Sequence, residues 1–99
     1  MTSTDLRRVL TPYVARVPLY MDVHTVDRGI TIEDVVQAHR ADLRTQDAYD
    51  VRYLRYWFDE SRGRIFCLAE APSADAAIAV HRQAHGLVAD EVYQVQEGS

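Results

Sequence analysis

The chain has 99 residues, 47% hydrophobic and 26% charged, which suits one globular domain and argues against disorder. Its net charge is -4 and its eleven basic residues, all Arg, are scattered, so a general nucleic-acid-binding surface is not expected. No apolar run approaches the roughly 18 residues of a membrane span. Because the single cysteine, Cys67, cannot form an intramolecular disulfide, we expect a cytoplasmic protein in a reducing compartment.

The first predicted strand follows an N-terminal segment without clear periodicity. Residues 1–17 are predicted to be a leader or arm, and residues 18–99 the domain proper. From Leu19 to His24, Leu, Met and Val alternate with Tyr, Asp and His. This period of two predicts a strand with one strongly apolar face.

Two helices are predicted from their capping residues and their spacing of apolar positions. Thr31 is a good N-cap for a helix from about Ile32 to Asp47, whose stripe at three- and four-residue steps includes Ile32, Val35, Val36, His39, Leu43 and Gln46. Ser73 caps a second helix, and Gly86 supplies its C-terminal stop. His39 therefore lies within an apolar stripe, where an imidazole needs polar partners.

Three further strands complete the predicted fold. Val51–Phe58 and Arg64–Glu70 form a hairpin, and Glu91–Gln96 is the last strand. The order is that of an α+β, ferredoxin-like β-α-β-β-α-β sandwich, with two helices on one face of a four-stranded antiparallel sheet. Because the strands are apolar or aromatic on both faces, a second copy is expected to cover the open face, which gives a homodimer.

The histidines on the two helices are the main candidates for chemistry. His81 and His85, four residues apart, share one helix face and are able to bind one metal ion. The alternative is a helix-end pair without a ligand. His39 on the other helix is a third candidate ligand, because the helices pack side by side in this fold. Its alternative is a core histidine bonded to Asp42, to Gln46 or to the sheet.

Other residues are weaker candidates. Asp42 is placed to bind a metal or to orient an imidazole, and His24 ends the first strand. Cys67 is a ligand candidate, although plain packing is the commoner role of a buried cysteine. Glu70 is either a ligand or general base or a solvated strand end, and the aromatic residues Tyr53, Tyr56 and Trp57 suit sheet packing or dimer contacts.

Several segments together resemble a family of small bacterial proteins long catalogued as a domain of unknown function and now labelled nickel-binding-like. The segments are Met21–His24, Ala38–Leu43 with Gln46, Val51–Trp57 with Asp59–Glu60, Phe66–Leu68, Glu70–Pro72 and His81–Gly86. The resemblance implies a dimeric ferredoxin-like fold that binds nickel or another transition metal. Its signature positions here are His24, His39, Asp42, Gln46, Cys67, Glu70, His81 and His85. Asp50 departs from the pattern, which has Gly at this turn.

The function predicted is binding of nickel or another divalent transition metal (Zn, Cu or Fe) through helix-borne histidines, as a buffer, sensor or carrier. The predicted ligands are His39, His81, His85, His24, Asp42 and Cys67. An alternative is a small-substrate enzyme, isomerase or monooxygenase-like, in which a histidine acts as general base in a cleft between helices and sheet. A third is an interaction module whose histidines lie apart.

Overall fold

A computed structural model of the protein describes residues 17–98. The elements are β1 (Leu19–Thr25), α1 (Ile32–Thr45), a 3-10 helix (Gln46–Tyr49), β2 (Arg52–Asp59), β3 (Arg64–Glu70), α2 (Ala74–Ala84) and β4 (Glu91–Val95). The predicted β-α-β-β-α-β order is present. The predicted leader lies, except for Val17, outside the described residues. None of the helices within residues 17–98 is long and apolar enough to cross a membrane.

The sheet is four-stranded and antiparallel, in the order β2-β3-β1-β4, with the two helices on one face. Strand β1 is central, and its pairing with β3 sets Asp22 opposite Cys67 and His24 opposite Ile65. Since alternate residues of a strand share a face, Tyr20, Asp22 and His24 all lie on the side covered by the helices. The register therefore places polar side chains of β1 beneath α1 and α2.

Both predicted N-caps are present. Thr31 and Asp34 form a capping box at the start of α1, and the Ser73 hydroxyl accepts a hydrogen bond from the Ala76 N–H at the start of α2. Helix α1 ends earlier than predicted, at Thr45, and the chain continues as the 3-10 helix into Asp50, whose φ of 57° is left-handed. Gly, which the resemblance predicts at this turn, adopts this conformation at low cost.

The buried stripe of α1 differs from the predicted one. Val35 and Asp42 are its buried residues, whereas Ile32 and Leu43 are exposed. The face directed at the sheet is thus rotated so that a carboxylate occupies a core position. An ionised side chain is found in such a place only when it has charged or hydrogen-bonding partners.

The apolar core lies between the helices and the sheet, and is formed by Val35, Val51, Tyr53, Ile65, Cys67, Ala69, Ala71, Ala77 and Val80. The apolar side of β1 faces the other way. Met21 pairs with Leu68 and Tyr93 on the open side of the sheet, where Trp57 is 47% exposed and Tyr93 48% exposed. The sheet face away from the helices therefore carries apolar side chains, of which Trp57 and Tyr93 are exposed.

Candidate metal centre

A small cavity lies between the two helices and the sheet. Its volume is about 20 Å³, which is room for one water-sized guest. Its walls are His24, Val35, Ala38, His39, Asp42, Tyr56, Ile65, Cys67, His81, His85 and Leu87. All six residues predicted as metal ligands line this cavity, and so do all four histidines of the sequence. Exposed Leu87 in the wall brings the cavity to the protein surface.

His81 is held between two carboxylates. Its Nδ1 lies 2.9 Å from an oxygen of Asp42 on α1, and its Nε2 lies 2.9 Å from an oxygen of Asp22 on β1. The three side chains are almost fully buried. Because each carboxylate accepts, both ring nitrogens must donate, and His81 is therefore an imidazolium. This buried charge links α2 to α1 and to the sheet.

The pKa values follow from this arrangement. Burial by itself lowers the pKa of His81, but the hydrogen bonds to Asp22 and Asp42 outweigh it and raise the pKa to about 11. Burial by itself raises the pKa of Asp22 and of Asp42. Hydrogen bonds from the neighbouring histidines overcome that effect and hold both pKa values below the ordinary value. The cluster is thus charged at neutral pH.

Asp22 accepts hydrogen bonds from three side chains of the cluster, and the sequence did not identify it as a candidate site residue. Besides His81, it accepts hydrogen bonds from Nε2 of His24 at 3.0 Å and from the Tyr53 hydroxyl at 2.8 Å. Tyr53, predicted as sheet packing, is also part of the cluster, and burial raises the pKa of its hydroxyl. The available signal was the Asp22-Val23-His24 spacing, because residues two apart on a strand share a face.

The hydrogen bonds of His24 and His85 identify their tautomers. His24 donates from Nε2 to the Asp22 carboxylate, which leaves a lone pair on Nδ1. His85 accepts the Leu87 N–H at Nδ1 over 3.1 Å, so its Nε2, 3.1 Å from Asp42, carries the proton. Both nitrogens of His85 therefore have partners, whereas one nitrogen of His24 does not.

Two buried nitrogens lack a hydrogen-bond partner among the described residues: Nδ1 of His24 and Nδ1 of His39. His39 packs on the ring of Tyr56, with centroids 4.8 Å apart. Burial lowers the pKa of His39, which favours the neutral ring. The predicted alternative, a core histidine satisfied by Asp42, Gln46 or the sheet, leaves its Nδ1 unexplained. These two atoms fit a ligand that accepts lone pairs, such as a metal ion.

Of the three remaining candidate residues, one lines the cavity and two do not. Cys67 is buried in the cavity wall, and burial raises the pKa of its thiol to about 11. The Gln46 side chain instead accepts the Tyr53 backbone N–H at 2.8 Å, and Glu70 pairs with Arg52 at 3.3 Å on the exposed side of the sheet. Gln46 and Glu70 are therefore not in the cavity wall.

The donor atoms are close enough together to hold a cation. Within residues 17–98, two groups have ligand atoms within 4.8 Å of one another: Asp22, His24, Cys67 and His81 form the first, and Asp42, His81 and His85 the second. Imidazole nitrogen, thiolate sulfur and carboxylate oxygen together suit first-row transition metals such as Ni²⁺ and Zn²⁺. His81 belongs to both groups, although both its nitrogens are already bonded.

Comparisons with known proteins agree with this description. The family model described as nickel responsive protein SCO4226-like matches residues 20–95. The crystal structure of SCO4226 from Streptomyces coelicolor A3(2) is similar, with a TM-score of 0.76 and 41% sequence identity. The match covers 82% of this chain and 99% of SCO4226. No curated protein matches the sequence.

Proposed function

This chain belongs to the SCO4226-like family of nickel responsive proteins, and we propose that it binds one divalent transition metal ion, Ni²⁺ first among them, in the cavity between its helices and sheet. The observation that carries the proposal is that all four histidines line a cavity in which two buried ring nitrogens have no partner among residues 17–98. A cation that accepts their lone pairs would relieve that deficit.

The size of the cavity favours an ion over an organic substrate. Small-molecule sites have volumes of about 300–1,000 Å³, whereas this cavity has about 20 Å³. The enzyme alternative, with a histidine general base in a cleft, needs more room than that. The family is described as nickel responsive, which supports a role in handling the metal ion. We therefore propose a cytoplasmic buffer, sensor or carrier of nickel or a similar metal.

Calorimetric titration of the whole protein with NiCl₂ and with ZnCl₂ tests the proposal. We expect saturable binding near one ion per chain. The variant Asp42→Asn removes the charge that orients His81 and His85, and loss of such an outer-shell partner weakens metal binding by about 10- to 100-fold. Asp47→Asn, at an exposed position beyond the end of α1, is the matched control and leaves the affinity unchanged. Absence of binding heat with both metals contradicts the proposal.

We also propose that the molecule is a ferredoxin-like homodimer in which a second copy covers the open sheet face. Its support is the apolar character of that face, where Met21 and Leu68 are flanked by the exposed rings of Trp57 and Tyr93. A two-fold axis through the face pairs it with itself. The cavity, on the opposite side of each sheet, stays accessible in such a dimer.

A further inference from the structure

We infer that His24 and His39 bind the metal ion through their Nδ1 atoms, and that His81 is a positioning residue rather than a ligand. This assignment rests on the proposed metal binding and differs from the sequence prediction, in which His81 and His85 were the leading pair. It also differs from a choice by proximity alone, because His81 belongs to both groups of closely spaced donors, His24 to one and His39 to neither.

The residues around His24 orient its ring so that one nitrogen is available to a metal ion. The side chain is 2% exposed, and its Nε2–H is bonded to Asp22, so the lone pair of Nδ1 is fixed and unpaired. An unsatisfied buried polar atom destabilises the folded state until a ligand pairs with it. A histidine whose second nitrogen donates to a carboxylate is the usual arrangement of a metal-ligating imidazole. Asp22 thus has the role of the orienting carboxylate.

His39 supplies the second nitrogen from a different element. Its Nδ1 is buried without a partner in the described part of the chain, and its ring lines the same cavity as His24. One ligand then comes from β1 and the other from α1. Because the ring is half-buried against Tyr56, it is confined without being fully enclosed.

His81 and His85 have no lone pair to offer in this arrangement. Both nitrogens of His81 are engaged at 2.9 Å by Asp22 and Asp42. His85 uses Nδ1 for the Leu87 N–H and Nε2 for Asp42. Ligation by either residue breaks at least one of these hydrogen bonds, and for His81 it also deprives a buried carboxylate of its bond to the imidazolium. His81 instead fixes Asp22, which in turn fixes the tautomer of His24.

Long-range proton–nitrogen NMR spectra of the histidine rings test this assignment on the unmodified protein. Zn²⁺ is the probe because it is diamagnetic. We expect the Nδ1 signals of His24 and His39 to move to metal-bound values, while both nitrogens of His81 stay protonated. If His81 or His85 nitrogens take the metal instead, the assignment is wrong and the proposed metal binding stands. If no ring nitrogen moves and calorimetry shows no heat, the proposed function itself fails.

A matched pair of variants gives a second test. His39 lies on α1 and His85 directly follows α2, and both are half-buried, so alanine at either position is comparable in size and in folding risk. We expect His39→Ala to weaken Zn²⁺ binding more than about 100-fold, and His85→Ala to weaken it by less than that, at most by the about 10- to 100-fold of an outer partner. The reverse order of effects overturns the assignment. Circular dichroism shows whether each variant is folded.

Discussion

His81 is a buried cation between two buried anions, and that arrangement governs both stability and chemistry at the level of single residues. The exposed ion pair of Arg52 and Glu70 is its counterpart at the surface. Solvent screens the exposed pair, so it contributes little. Removal of one partner from a buried group leaves an uncompensated charge out of water, which is far more costly.

Replacement of His81 by Ala should therefore destabilise the protein by about 3–5 kcal/mol, because Asp22 and Asp42 lose the cation they share. Arg52→Ala, which breaks the exposed pair with Glu70, is the control and should cost at most about 1 kcal/mol. Urea denaturation of both variants measures the free energies of unfolding. Equal losses in the two variants would show that the buried cluster is not held together by its charges.

Stability should also fall as the pH rises above neutrality. The pKa of His81 is raised to about 11, whereas in the unfolded chain it is about 6.5. Between these values the native protein binds the additional proton, so the stabilisation is complete below about pH 6.5 and is lost as the pH rises toward 11.

From pH 7.5 to 8.5 we expect a loss of about 1 kcal/mol, measured by urea denaturation at each pH. The maximal slope for one proton is about 1.4 kcal/mol per pH unit. The Cys67 thiol, whose pKa is raised by burial, acts in the same direction. His81→Gln is the control, and its slope should be clearly smaller. A wild-type stability that stays constant over this range contradicts a buried imidazolium.

At the level of elements, tight turns fix where the strands and helices begin. Gly63 closes the β2–β3 hairpin at a φ of +65°, and its carbonyl accepts the Val26 N–H at 2.8 Å, which ties the hairpin to the end of β1. Gly86 follows α2 at a φ of +81°, with its N–H bonded to the His81 carbonyl. Both positions need the left-handed conformation that glycine adopts at low cost.

Alanine at these two glycines should have unequal effects. A Cβ at Gly86 meets no atom within 4 Å, so Gly86→Ala costs only the backbone strain, about 1 kcal/mol. A Cβ at Gly63 would lie 2.6 Å from the Val26 carbonyl oxygen, so the backbone must also shift, and Gly63→Ala should cost at least about 1 kcal/mol more. Thermal unfolding compares the two. Similar melting temperatures would contradict the contact at Gly63.

At the level of the whole molecule, the two faces of the sheet differ in the side chains that they carry. The face beneath the helices carries the charged cluster around His81, and the open face carries exposed apolar side chains. A large exposed apolar patch is typical of an interface. If a second copy covers it, the hydrophobic contribution to stability comes partly from association, and stability then depends on protein concentration.

Introduction of a charge into the open face should separate the proposed dimer. We expect light scattering coupled to gel filtration to give twice the chain mass for the wild type at micromolar concentration, and a single chain mass for Trp57→Glu. Leu43→Glu, at an exposed position on α1, is the control and should remain dimeric. A monomeric wild type would contradict the proposal that a second copy covers the open face.

The sequence by itself determined the order of the elements, the caps at Thr31 and Ser73, and the stop at Gly86. These features depend on neighbours within a few residues, so local propensity is enough to find them. It also identified the four histidines, Asp42 and Cys67, which all line the cavity. Family membership was likewise evident from the motifs and is confirmed.

Only the tertiary structure decided which atoms of those residues are available. His81 meets Asp42 across 39 residues and Asp22 across 59, and no local pattern specifies such distances. The pairing of β1 with β3 and the rotation of α1 bring the carboxylates to His81, and thereby leave Nδ1 of His24 and of His39 unpaired. The physical reason is that hydrogen-bond partners depend on packing in space, whereas periodicity reports only which face a residue occupies.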